Sequence, residues 1–219
     1  MAVALLVVGG VAVLLVVTSH RNKDGKKPAV STAAEARGIA RRVALTPPDW
    51  GSGFTKGDPY ESEDTTEGVT DQNCDYATQP IADALSAVRR NVGRTDGTAL
   101  ASSQVVVYRG AEPARADAAR LRSEARRCPK VKEAEGNARW EGIHEVALTE
   151  LKGFDDVVAE EGRLVVDGQG RKSDNYYTNL TGRKGQFVMQ AYVTRNGSRT
   201  QAQNRRDATN ALALMLSRL

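Results

Sequence analysis

The chain has 219 residues, 40% hydrophobic and 26% charged, with 31 basic and 27 acidic side chains and a formal net charge of +4. These values suit one globular domain with appendages, and they exclude wholesale disorder and collagen-like or coiled-coil rods. Two histidines and two cysteines are too few for a zinc finger, an iron–sulfur cluster or a multi-histidine metal centre, so neither a metal nor a cofactor is expected.

Residues 1–20 contain no Asp, Glu, Lys or Arg, and Ala2–Val17 is an almost unbroken apolar run. A helix of that length rises about 1.5 Å per residue and spans roughly 30 Å, the thickness of a bilayer core. A buried core helix would show one polar face, and this run shows none. Residues 1–20 therefore read as a transmembrane or signal segment, engaging the cell membrane through residues 2–17. No basic stretch precedes the apolar core and Val17-Thr18-Ser19 is a weak cleavage site, so a retained span and a cleaved signal both stay open. Residues 21–34 form a basic polar linker. Its Arg21, Lys23, Lys26 and Lys27 would hold the rest of the chain in the cytoplasm by the positive-inside rule. The two cysteines and a resemblance given below favour the other side, and an extracytoplasmic domain at residues 35–219 is the expectation.

Within that domain Glu35–Ala44 predicts a short helix with Ile39, Ala40 and Val43 on one face, stopped by Pro47-Pro48. Residues 49–75 show no periodicity and carry eight acids against a single lysine. Such a long loop is usually functional or disordered, and Trp50, Phe54 and Tyr60 argue that its first half is pinned to something apolar. Pro80 reads as the start of a second helix, with Ile81, Leu85, Val88 and Val92 in one stripe. Ser103–Tyr108 predicts a buried strand. Pro113 to Cys128 predicts a helix with Ala114, Ala118, Leu121, Ala125 and Cys128 on one face, ended by Pro129.

The second half reads as a meander of strands at His144–Leu151, Arg163–Val166, Asn175–Thr181 and Gln186–Thr194, the last two joined by the loop Gly182–Gly185. A final helix follows Asn196-Gly197, with Thr200 and Gln203 at capping-box spacing and Ala208, Ala211, Leu212, Met215, Leu216 and Leu219 on its core face. The predicted fold class is α+β: an antiparallel β-sheet flanked by helices, with the 113–128 and 200–219 helices packed on it.

Chemistry-bearing motifs are sparse. The sequence contains no G-x-S-x-G, H-E-x-x-H, G-x-x-x-x-G-K-[ST] or G-x-G-x-x-G. Trp140-Glu141-Gly142-Ile143-His144 sets an aromatic, a carboxylate and an imidazole within five residues, but the same string reads as the start of an exposed strand. The basic pairs are scattered and mixed with acids, and aromatics are few, so no nucleic acid is expected; anionic lipid or wall polymer suits the charge better. Cys74 and Cys128 could be two buried thiols. Outside the cytoplasm two and only two cysteines usually pair, and a Cys74–Cys128 disulfide is the expectation.

One order of features resembles a known family. Ala44-Leu45-Thr46-Pro47-Pro48-Asp49-Trp50-Gly51-Ser52-Gly53-Phe54 precedes an acidic stretch, Cys74 and a predicted helix ending Arg89-Arg90-Asn91-Val92. The strand Gln104–Tyr108, a helix closing on Arg126-Arg127-Cys128-Pro129 and a terminal amphipathic helix follow. Over residues 35–219 this is similar to the extracellular sensor domains of PknH-type bacterial serine/threonine kinases and their free-standing, membrane-anchored or lipoprotein-like relatives. The resemblance implies a bent antiparallel sheet flanked by helices and a cleft for an unidentified ligand. It departs from the family in having one possible disulfide where the kinase sensors carry two, and no kinase domain stands before the apolar run. The expected function is a membrane-tethered, extracytoplasmic module that binds a small-molecule, wall-polymer or protein ligand without catalysis. Its candidate ligand-binding residues are the loop aromatics Trp50, Phe54, Tyr60 and Trp140. The alternatives are an envelope enzyme using Glu141 or His144 on wall polymers, and a purely structural envelope protein.

Overall fold

The structure is a computed structural model that describes residues 29–133, 138–148, 151–168 and 171–219, with residues 167, 168 and 171–174 described by backbone alone. The apolar segment at 1–20 and linker residues 21–28 lie outside the described residues. Among the described residues no helix is long and apolar enough to cross a membrane.

The first helix, α1 (Ala33–Val43), is capped by Thr32, whose hydroxyl oxygen accepts from the Glu35 N–H, and it closes on Arg41 and Arg42 as its dipole favours. It buries Ala36, Ala40 and Val43. A 3-10 turn at Pro47–Trp50 follows, tightened by Asp49 Oδ2 accepting from the Thr46 N–H and hydroxyl at 2.7 and 2.8 Å. The acidic stretch is not a loop: it contains β1 (Phe54–Ser62) and β2 (Thr66–Thr70), and β3 (Asp75–Pro80) completes a hairpin with β2. Its acids are legible only in three dimensions, because arginines on other elements neutralise them. Glu63 meets Arg41 at 2.6 Å, Glu61 meets Arg90 at 2.8 Å, and Glu67 meets Arg120.

The helix expected from Pro80 to Val92 is instead the strand β4 (Ala84–Arg94), paired antiparallel with β5 (Ala99–Tyr108). Val88 and Val92 lie four residues apart, a spacing that puts them on one face of a helix and equally on one face of a strand. What decides between the two is the turn at Asp96-Gly97, a strong hairpin signal. Gly97 has φ +69°, and Asp96 Oδ1 accepts from the Thr98 hydroxyl and N–H at 2.6 and 3.0 Å.

The predicted helix at 113–128 is α2 (Ala111–Arg127), and β6 (Lys130–Glu133) follows directly. The second-half meander is present as β7 (Ala138–Glu145), β8 (Asp156–Gly168), β9 (Arg171–Lys184) and β10 (Phe187–Asn196), each antiparallel to the next. The strand expected at 144–151 lies earlier, so Trp140 sits mid-strand, and the predicted loop at 182–185 shrinks to the two-residue turn Gly185-Gln186. The last helix is α3 (Gln201–Ser217). The expected Thr200–Gln203 capping box does not form. A 3-10 turn leads into the helix, and the Thr200 hydroxyl donates to the Gly197 carbonyl at 2.6 Å.

All ten strands among the described residues join one sheet in the order β1-β4-β5-β10-β9-β8-β7-β6-β3-β2. The sheet is mixed rather than antiparallel throughout, because β3 and β6 run parallel through Asp75↔Lys132 and Tyr76↔Glu133. Its two edge strands, β1 and β2, are consecutive in the chain. Ten flat strands would hold their edges about 43 Å apart, yet the three residues 63–65 between Ser62 and Thr66 reach at most roughly 14 Å. The sheet must therefore curl strongly, and the chain itself bridges the opening.

Helices cover both faces of this curl. On the outer face α1 and α3 bury Val43, Leu45, Leu212 and Met215 against Val88, Val105, Leu180 and Met189. Strand alternation sends Val106, Tyr108 and Val188 inward, where they pack with Ala114 of α2. Each large side chain buried in this way contributes roughly 1.5–3 kcal/mol.

A candidate ligand cleft under helix α2

The curl leaves α2 seated in the concave face, and its two ends are held differently. At the N-terminal half, buried Asp117 accepts from the Tyr108 hydroxyl at 2.7 Å and from Arg120 at 2.6 Å. Arg120 is shared among Asp117, Glu124 at 2.9 Å and Glu67 of β2. At the C-terminal end Cys128 is bonded to Cys74, with Cα atoms 5.5 Å apart, so the predicted disulfide is present. It ties the β2–β3 hairpin to the helix next to the apolar cluster of Ala125, Val131 and Ile143. Arg122 reaches Asp156 at 2.8 Å and Glu145 at 3.1 Å, locking the helix to β7 and β8.

Between α2 and the sheet lies a cleft of about 210 Å³. The β2–β3 hairpin walls one side with Gly68, Val69, Thr70 and Tyr76, and α2 roofs it with Leu121, Glu124 and Ala125. Trp140, Glu160, Tyr177, Asn179 and Tyr192 line the sheet side. The aromatic rings are ordered in pairs: Tyr76 stacks on Trp140 at 5.4 Å between centroids, and Tyr177 on Tyr192 at 5.6 Å. Glycines make room for two of them. A methyl group on Gly162, directly across from Tyr177, would meet its ring at 2.9 Å, and one on Gly68 would meet Tyr76 at 2.5 Å.

At the cleft's sheet side Glu160 Oε1 accepts from the Tyr177 hydroxyl at 2.6 Å. Burial raises the Glu160 pKa above the usual carboxylate value, with the charge of Glu124 adding to the effect and the Tyr177 hydrogen bond opposing it. Burial likewise pushes the Tyr192 phenol up to about 12 and Tyr177 well above its ordinary value, so both are neutral hydroxyls at physiological pH.

With this geometry in view, the sequence has no matching protein-family model and no matching curated protein. A solved structure does match. The extracellular domain of PknH from Mycobacterium tuberculosis superposes with a TM-score of 0.55 at 14% sequence identity, covering 82% of this chain and 96% of that one. The likeness is one of fold alone, a distant resemblance to that extracellular domain.

The four candidate aromatics do not share a site. Trp140 lines the cleft. Trp50, Phe54 and Tyr60 pack against the outer core, with Trp50 and Phe54 rings 6.4 Å apart and Lys56 4.9 Å from the Tyr60 ring. Tyr76, Glu160, Tyr177, Asn179 and Tyr192 escaped the sequence reading. The available signal was the alternation around Tyr177 and Tyr192, which places both on the face opposite Leu180 and Met189. Glu141 is engaged at 2.8 Å by Arg139 and also by Arg163, and these hydrogen bonds bring its pKa down to about 2. That is the opposite of the raised value a general acid needs at neutral pH. His144 is exposed, its Nδ1 2.8 Å from the Gly142 carbonyl oxygen.

Proposed function

We propose that the chain is a membrane-tethered, extracytoplasmic ligand-binding module of the bacterial cell envelope, sensor-like and without catalysis of its own. The observation that carries this reading is the cleft beneath α2. It is concave, aromatic, supplied with a few polar groups, and walled by a disulfide-pinned hairpin. The disulfide suits an oxidising compartment, and the superposable fold belongs to a domain described as extracellular. Residues 2–17 supply the tether, and nucleic acid is not among the partners.

Two measurements test the reading. A pair of reporters fused after Leu219, one active only outside the cytoplasm and one only inside, reads the topology; activity of the inside reporter alone would refute the compartment. Hydrogen exchange with and without a cell-envelope extract reads the binding. Added protection at residues 66–80 and at the C-terminal half of α2 is expected, and unchanged protection there would refute the cleft as the site.

A further inference from the structure

The charges around the cleft are one-sided. Among the described residues its lining contains no lysine or arginine, although the chain carries 31 of them. Two carboxylates, Glu124 and Glu160, are in the lining, and Arg120, the partner of Glu124, is shared with Glu67 and Asp117. Glu160 uses Oε1 for the Tyr177 hydroxyl, while its Oε2 makes no hydrogen bond among the described residues. His144 contributes a weak attraction to Glu160 from outside the lining. The same cleft is lined by Trp140, Tyr76, Tyr177 and Tyr192, with Tyr177 in contact with this carboxylate. Ring faces carry negative potential, so an aromatic enclosure with an acid beside it favours an organic cation. An anion would meet like charge here, and a purely apolar ligand would leave Glu160 desolvated with nothing to balance it.

We propose that the cleft recognises an alkylammonium group, with Glu160 as its counter-ion and Trp140 among the rings that enclose it. This rests on the ligand-binding reading above and names the chemical class of the ligand. A volume of about 210 Å³ suits a group the size of a choline or a short alkylamine. Such a group occurs both in soluble amines and in lipid headgroups.

The test is a titration of the full chain in detergent, read by the NMR signals of the Trp140 indole and of residues 160 and 177. Four probes are compared: choline, its neutral isostere 3,3-dimethylbutan-1-ol, butylammonium, and phosphatidylcholine vesicles. Choline should shift these signals, and the isostere should bind at least about tenfold more weakly. Glu160→Gln keeps an acceptor for Tyr177 and should weaken choline binding about tenfold, and Trp140→Leu should weaken it separately. Vesicle binding displaced by choline would identify a headgroup as the source, and choline binding without vesicle binding a soluble amine. Equal binding of choline and the isostere would overturn the inference while leaving a ligand cleft. No shift with choline or butylammonium would also overturn it, and the extract experiment then decides the broader reading by itself.

Discussion

Reducing the Cys74–Cys128 bond should both destabilise the domain and open one wall of the cleft. The bond closes a loop of 54 residues in sequence separation. The chain-entropy model assigns about 4 kcal/mol to a loop of that length, as restriction of the unfolded chain. At roughly 2–4 °C per kcal/mol for a domain this size, the melting temperature should fall by roughly 8–16 °C. The structural consequence is local, because little else holds the β2–β3 hairpin. It pairs with β6 at two positions, accepts Arg127 at the Asp71 and Thr70 carbonyl oxygens (2.6 and 2.9 Å), meets Arg120 through Glu67 and Lys132 through Asp75, and stacks Tyr76 on Trp140. Denaturant unfolding of the Cys74→Ala/Cys128→Ala double variant measures the first effect, and amide exchange over residues 66–80 the second. A loss below about 1 kcal/mol with unaltered protection of that hairpin would refute the reasoning.

Two further outcomes follow from buried charges. Glu161 is 2% exposed and accepts from Arg205 Nε and Nη2, each at 2.8 Å, so Arg205→Ala strands a carboxylate in the outer core. It should cost about 3 kcal/mol in urea unfolding, while Glu161→Leu/Arg205→Leu should recover most of that; an equally unstable double variant would show that charge burial is not the cause. Asp49 has its pKa brought to about 2: burial raises it, but hydrogen bonds from Arg218 and Thr46 outweigh burial. Its folded value lies below the unfolded value of 3.8, so its stabilisation is present above about pH 4 and lost as pH falls toward 2. Asp49→Asn should flatten the acid limb of the stability–pH profile in that window.

Local pattern alone was enough for several parts of this protein. The apolar stripes of α2 and α3 lie on helices because their core faces repeat at helical spacing, bounded by Pro113 and Pro129 in one case and preceded by Asn196-Gly197 in the other. The strands Ser103–Tyr108 and Gln186–Thr194 were legible from β-branched runs and alternation, and the cysteine pair from parity. These signals depend on neighbours within a few residues. Tertiary structure decided the rest. Ala84–Arg94 is a strand because it pairs with β5, whereas its valine spacing fits either period. The acidic stretch is ordered because Arg41, Arg90 and Arg120, remote in sequence, neutralise Glu63, Glu61 and Glu67. The cleft is the strongest case: Tyr76, Trp140, Glu160, Tyr177 and Tyr192 come from five different strands, and only the curl of the sheet around α2 brings them together. No segment carries that curl by itself, because it arises from the order of ten strands and from a three-residue bridge between the sheet's two edges.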